Sequence, residues 1–340
     1  MSISIVDVAK HAGVSIATVS RVVNDTGYPV SSALRQKVLD SAKALNFVPN
    51  RSAQALRRRM KNGIALIVRN ISDPYFSEIE RGVTETAIKN DIIATVFSSM
   101  QDTEFEMKYY QLILKQQYDG VIIGAGAYGR KKSTERLQSI VRELQQQGSR
   151  VIALAPQGFA VPIISVDNVL VGKRATEFLI SKGHKDIAFF GGYRDHLVDG
   201  ERFSGYQQAL ASHELIYDPE KMYLSDYSAK GGYENCEKLL DSGAHVSAIY
   251  CSNDHIAYGA IKCVTERGLK VPDDISIVGT GGFYSDSEYI GGPGLTSVHF
   301  PFYRLGELAV SKILGDDEIP NDYREILETK IVENSSVRMI

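Results

Sequence analysis

Ile5-Val6-Asp7-Val8-Ala9-Lys10-His11-Ala12-Gly13-Val14-Ser15-Ile16-Ala17-Thr18-Val19-Ser20-Arg21-Val22-Val23-Asn24 decides how the front of this 340-residue chain folds. Ile5, Val8, Ala9 and Ala12 recur at helical spacing and mark one buried stripe. Ser4 is placed to cap that helix, and Asp7 sits in its first turn, where the helix dipole favours negative charge. Gly13 ends it, and Ser15 caps a second helix running to about Asn24. Two helices joined by a short Gly-containing turn make a helix-turn-helix. Val19, Val22 and Val23 point into the core, while Ala17, Ser20 and Arg21 fall on the opposite face and Ile16 on its flank. A recognition helix offers such residues to base edges in the major groove. Arg21 suits guanine, and Ile16 and Ala17 suit a thymine methyl. A three-helix domain that binds protein, or nothing, would show the same pattern.

Working outward, Leu34, Val38, Ala42 and Leu45 predict a third helix after Ser31-Ser32. Residues 1–62 hold ten Lys and Arg against three Asp and Glu, a charge of +7, while the remainder carries -10. A basic head on an acidic body is the footprint of a nucleic-acid reader joined to something else. Cys236, Cys251 and Cys263 cannot all pair and lack zinc-ligand spacing, so reduced thiols in a cytoplasmic protein are expected. Met1-Ser2-Ile3-Ser4 has no signal-peptide pattern, and no apolar run reaches transmembrane length, so no membrane partner is expected.

From Ile64, short apolar runs alternate with amphipathic stretches: Ile64–Val68, Ile92–Phe97, Val121–Ile123, Val151–Leu154, Ile163–Val166, Ile187–Phe190, Ala248–Cys251 and Ile275–Gly279 are the predicted strands. Helical stretches such as Glu104–Gln116, Arg202–Ala211 and His255–Glu266 lie between them. Strand–helix alternation over so many residues predicts two lobes of doubly wound, parallel α/β structure with a ligand cleft between them.

The run Ile5–Ala9 with Gly13–Asn24, then Phe47-Val48-Pro49-Asn50, Ala53 and Leu56, resembles the DNA-binding front of the lactose-repressor/galactose-repressor family of bacterial transcription regulators. Asp73-Pro74-Tyr75-Phe76, Ser165-Val166-Asp167-Asn168, Gly183-His184, Ser252-Asn253-Asp254 and Leu295-Thr296-Ser297-Val298 extend the resemblance along nearly the whole chain. The resemblance implies a small all-α head and an α/β two-lobed body like that of periplasmic binding proteins. The expected divisions are 1–48 for the head, 49–61 for a hinge helix or linker, and 62–340 for effector binding and dimerisation. The first lobe is expected at about 62–160 and 297–325, the second at about 161–296 and 326–340. It further implies a hinge helix that folds on operator DNA and drives Leu56 into the minor groove. Physically, Pro49 stops the preceding helix, and the basic run Arg57-Arg58-Arg59 repels itself until phosphates neutralise it. Without the resemblance, a flexible basic linker is the plainer reading.

The DNA-binding set so implied is Ser4, Ser15, Ile16, Ala17, Thr18, Ser20, Arg21 and Asn24 in the head, with Asn50, Ala53, Leu56, Arg57 and Arg58 behind it. The effector set is Asn70, Asp73, Phe76, Arg202, Tyr227, Asn253 and Phe302. Spacing alone reads Arg202 as an ion pair, Asn253 as a turn residue and the aromatics as core. The sequence departs from the family where Thr280-Gly281-Gly282 stands in place of an aromatic–Asp pair that binds a sugar hydroxyl. Ala155-Pro156 likewise replaces a charged position. Losing an acceptor leaves a bound hydroxyl unpaired, and losing a negative charge favours an anion paired to Arg202.

Gly124-Ala125-Gly126-Ala127-Tyr128-Gly129 spells G-x-G-x-x-G, but it runs into Arg130-Lys131-Lys132 rather than a helix, and an inter-element loop is favoured over a dinucleotide site. The expected function is a repressor whose affinity for a pseudo-palindromic operator with a central C-G step is set by a sugar, sugar phosphate or similar effector. No enzyme activity, catalytic residue, cofactor or metal is expected. The protein is expected to be a homodimer without the leucine-heptad tail that makes tetramers. A solute-uptake binding protein and a cytoplasmic α/β enzyme are the competing classes.

Overall fold

The computed structural model describes residues 3–23, 30–45, 47, 63–100, 102–282 and 293–340. It separates the chain into two compact units, residues 1–62 and 63–340. In the first unit, α1 (Ile5–Ala12), α2 (Ile16–Val23) and α3 (Ser32–Ala44) pack around Val8, Ala9, Ala12, Val19, Val22 and Val38. The hinge expectation, with Asn24, Asn50, Ala53, Leu56, Arg57 and Arg58, lies outside the described residues.

The second unit holds two six-stranded sheets. The first joins β1 (Ile64–Val68), β2 (Ala94–Ser98), β3 (Gly120–Ile123), β4 (Arg150–Ala153), β5 (Ile163–Val166) and β11 (Arg324–Leu327) in the order β11-β5-β4-β3-β1-β2, parallel throughout. The second joins β6 (Ile187–Gly191), β7 (Met222–Leu224), β8 (Ala248–Cys251), β9 (Ser276–Gly281), β10 (Thr296–His299) and β12 (Lys330–Val332) in the order β12-β10-β9-β8-β6-β7. Its β12 edge runs antiparallel, the one departure from parallel pairing among the described strands.

Alternation along each central strand feeds two cores. Ile64, Leu66 and Val68 face helices Pro74–Lys89 and Phe302–Leu314, while Ala65 and Ile67 face helices Thr103–Gln116 and Lys131–Gln146. In the second lobe Ala188 and Phe190 face helices Ala229–Asp241 and Asp254–Glu266, and Ile187 and Phe189 face helices Asn168–Ser181 and Leu197–Ser212. Strands covered on both faces must be apolar at every position, which is why they read as unbroken runs.

The chain passes between lobes after β5, after β10 and between β11 and β12. The expected switch points near 160, 296 and 326 fall a few residues early: β5 still belongs to the first sheet and β10 to the second. An apolar run reads the same whichever sheet it joins, and only its hydrogen-bond partner decides. Helix Phe302–Leu314 and strands β7, β10, β11 and β12 complete the layers beyond the predicted elements. No helix among the described residues is long and apolar enough to cross a membrane.

Candidate functional sites

In the head, the Ser4 hydroxyl accepts from Asp7 N, and the Asp7 carboxylate accepts from Ser4 N at 2.8 Å, a capping box that fixes where α1 starts. The Ser4 hydroxyl, donating to the Asp7 carboxylate at 2.7 Å, and Ser4 N hold the Asp7 carboxyl below its ordinary range. Gly13 ends α1 in the left-handed region at φ 63°. Ser15 Oγ accepts from Thr18 N at 3.1 Å and lies 2.8 Å from the Thr18 hydroxyl, capping α2. Ser4 and Ser15 are thus exposed residues whose hydroxyls organise helix starts, and Thr18 is half-buried beside Ser15. Ile16, at 48% exposure, Ala17 and Arg21 present an outward face. Ser20 does not join them; it is 7% exposed. It lies next to Val19 of the head's core, so the exposed face of α2 is narrower than expected.

In the body, one cleft of about 90 Å³ lies between the lobes. Its walls come from the segments at the C-terminal ends of β1, β3, β6, β7, β8, β9 and β10, where a doubly wound sheet leaves its backbone open to a ligand. Of the expected effector residues, Asp73, Phe76, Arg202, Tyr227 and Asn253 meet there. Two do not. Asn70 turns its side-chain oxygen to Ser72 N at 3.1 Å and holds a tight turn, and Arg69 lines the cleft in its place. Phe302 is packed in the first lobe's core against Tyr75, and Phe300 lines the cleft instead. Phe302 opens a helix that must bury its apolar face, whereas Phe300 stands on the segment leaving β10.

Asp73 caps helix Pro74–Lys89 through Tyr75 N at 2.9 Å and lies 3.6 Å from His255 of the second lobe. Its hydrogen bond holds the His255 ring above its ordinary pKa. Asn253 does two structural jobs: its oxygen caps helix Asp254–Glu266 through Ile256 N at 2.8 Å, and its amide donates to Tyr227 O at 3.0 Å. Asp254 is buried, accepting from the Ser297 hydroxyl and from Gly282 N, each at 2.6 Å. Arg202 is 6% exposed rather than a surface ion pair; it donates to Asn168 Oδ1 at 3.2 Å and Ser252 O at 2.5 Å.

The Gly-rich loop after β3 supplies Ala125, Gly126 and Tyr128 to the cleft, and Gly126 O accepts from Arg69. It also bridges the lobes: Gly129 N donates to Asp195 O at 2.6 Å, Leu197 N donates to Ala127 O at 3.1 Å, and Arg130 pairs with Asp195 at 2.5 Å. His196, unnoticed in the sequence, is buried between this loop, Asp199 and the Tyr227 hydroxyl. Nothing local marks it, because Gly126, Arg69 and Tyr227 reach it from distant segments. Arg69 was findable, as the first residue beyond an apolar strand.

Residues 4–50 match the family model described as bacterial regulatory proteins, lacI family. Residues 61–331 match that of periplasmic binding proteins and sugar binding domain of LacI family. The chain is similar to the HTH-type transcriptional regulator RegA of Clostridium saccharobutylicum, 32% identical over 340 residues and 99% of each chain. The HTH-type transcriptional regulator DegA of Bacillus subtilis is 33% identical over 306 residues, 90% of this chain and 89% of its own. A Lac repressor structure bound to ONPG in the repressed state has a TM-score of 0.86 at 25% identity, covering 99% of this chain and 100% of that one. A CelR–cellobiose complex has a TM-score of 0.70 at 26% identity, covering 98% and 99%.

Proposed function

Because the chain belongs to the LacI family of bacterial regulatory proteins, we propose that its grip on operator DNA is set by a small molecule held between the lobes of its body. The protein is a DNA-binding transcription regulator; the proposal concerns which residues do the work. Ile16, Ala17 and Arg21 read bases, with Ser4, Ser15 and Thr18 fixing the helix starts against the backbone, and two heads of a homodimer cover a pseudo-palindrome. The segment containing Asn50, Ala53, Leu56, Arg57 and Arg58 lies along the DNA and carries the wedge. Asp73, Phe76, Arg202, Tyr227 and Asn253, joined by Arg69 and Phe300, hold the effector. The protein works in the cytoplasm, where operators are, and the body senses rather than catalyses.

The observation that carries this reading is the convergence of Asp73, Phe76, Arg202, Tyr227 and Asn253, far apart in sequence, on one cleft at the strand ends of two lobes. A ligand touching both lobes stabilises their closed arrangement by its differential affinity for that state, and the coupling to DNA is reciprocal. The test is a gel shift of the full chain on DNA upstream of its own and neighbouring genes, with small molecules added. Specific, dimeric binding that a small molecule alters supports the reading. Sequence-blind binding, or full operator affinity in a monomer, overturns it.

A further inference from the structure

Two cations face the cleft, one from each lobe: half-buried Arg69 after β1, and buried Arg202 on helix Leu197–Ser212. Among the described residues neither forms an ion pair with a carboxylate. Arg69 donates to the His196 ring and to Gly126 O, and lies 4.3 Å from the centre of the Tyr128 ring. Arg202 donates to Asn168 and Ser252 O, and lies 5.2 Å from the centre of the Phe300 ring. Every one of these partners is uncharged, and each guanidinium engages only two of its five N–H donors on them. Sequestered charge without a directly paired carboxylate is costly, and an anion in the cleft answers both cations at once.

The rest of the lining decides what kind of anion. A polyhydroxylated ligand needs acceptors for its hydroxyls, and carboxylates are the strongest. Those around this cleft are committed. Asp73 caps a helix and faces His255. Asp199 accepts from Gly192 N and the Tyr227 hydroxyl and faces His196. Asp254 is held by Ser297 and Gly282. Glu106 lies within electrostatic reach of Arg69, and Glu201, which accepts from the Asn168 amide at 3.1 Å, lies within reach of Arg202; neither lines the cleft. What remains is ring surface: Tyr75, Phe76, Tyr128, Tyr193, Tyr227 and Phe300. Such walls favour a planar apolar body, stacked or edge-on.

We propose that the effector is a small aromatic acid, its carboxylate held between Arg69 and Arg202 and its ring between the tyrosines and phenylalanines. This rests on the reading that the cleft is the effector site, and adds the chemical class. Arg69 is then a specificity-determining residue, because it supplies the second positive charge from the opposite lobe and ties anion binding to closure.

The experiment is calorimetric titration of the full chain with benzoate, 4-hydroxybenzoate, phenylacetate and 3-phenylpropionate. Their neutral amides, glucose, glucose 6-phosphate and inorganic phosphate are titrated in parallel. At least one carboxylate is expected to bind tenfold or more tightly than its own amide, and Arg69→Gln and Arg202→Lys are each expected to weaken it tenfold or more. The wild-type series decides the charge requirement even if a variant fails to fold. Equal binding of acid and amide, preference for glucose or glucose 6-phosphate, or no carboxylate bound at millimolar concentration overturns the class. Preference for either sugar overturns the aromatic acid while leaving the cleft as the effector site. Failure of the cleft reading itself would appear separately, as operator binding that no small molecule alters.

Discussion

Arg69 Nη1 lies 3.0 Å from His196 Nε2, a hydrogen bond that joins the two lobes across the cleft. Arginine only donates, so in this bond Nε2 accepts and the ring's proton sits on Nδ1, which faces Asp199 at 3.2 Å; the Gly126 carbonyl, 3.2 Å from the same Nε2, is then served by Arg69 instead. The bond therefore requires a neutral imidazole. Burial pushes the His196 pKa below its ordinary 6.5, Asp199 pulls it back up, and the charge of Arg69 pushes it down again. Protonation would break the link and set two cations side by side.

The consequence is an acid-sensitive body. The folded pKa of His196 lies below the unfolded value, so the unfolded chain takes up the proton first as pH falls. The stabilisation is complete above 6.5 and declines below it. His184 and His299, also lowered by burial, act in the same direction, and His255, raised by Asp73, acts against them. The Tm of the body should fall between about pH 7.5 and about pH 5.5, and by less in His196→Gln than in wild type. An identical fall in both would show that His196 is not the titrating group.

Arg21 should separate reading from mere adhesion. It lies on the outward face of α2 with Ala17, in a head whose buried side is filled by Val19 and Val22. Arg21→Ala should cost about 1–3 kcal/mol on the operator, relax preference at one base pair and leave random DNA nearly unaffected. Arg58→Ala, behind the head, should weaken all sequences alike and make the salt slope shallower by about one. Gel shifts on operator and random DNA at several salt concentrations check both, and equal losses on the two DNAs for Arg21→Ala would remove it from base reading.

How far these features were visible in the sequence depends on the range of the interaction that makes them. Val8, Ala9, Ala12 and Val19 announced the head because a helix repeats its buried face within a few residues. Ser20 is buried where helical phase places it on the outward face, because burial depends on tertiary packing that the phase of one helix does not contain. Strands β1, β3, β6 and β8 stand out as unbroken apolar runs, whereas β11 alternates between exposed and half-buried positions and gives no such run. In the cleft, Asp73 and Asn253 were legible as motif residues that cap helices. Phe300 and His196 were not, since their roles arise only where loops from different strands meet, and Arg69 was marked only by its place directly after an apolar strand.

Gly13 sets the turn of the head, and its backbone rather than its surroundings restricts substitution. At φ 63° an added Cβ would meet nothing closer than the end of Lys37, 3.8 Å away. The cost of Gly13→Ala is thus conformational, about 1–2 kcal/mol for a left-handed residue bearing a side chain. Asn visits this region more readily, so Gly13→Asn should lose less. The helical signal of the isolated head, melted by heat, should rank Gly above Asn above Ala. Ala matching Gly would mean that the turn does not need the left-handed conformation.

Gly126 tests whether closure of the lobes is what the ligand requires. A Cβ there would stand 2.8 Å from Val198 Cγ2 and 3.3 Å from His196 Nε2, both on the opposite lobe. Its φ is outside the left-handed region, so a larger residue strains the gap between lobes more than its own backbone. Overpacking of this kind costs about 1–3 kcal/mol when the structure cannot yield. Here it can yield, by opening, and the strain falls on the closed state. Gly126→Val should therefore keep nearly the wild-type Tm while weakening the effector by roughly 5–150-fold, the ratio that a coupling of about 1–3 kcal/mol produces. Small-angle scattering of the ligand-free variant should show a body more expanded than wild type. Unchanged affinity beside an expanded body would mean that the effector binds one lobe alone, and the arrangement of Arg69 opposite Arg202 would then not be what holds it.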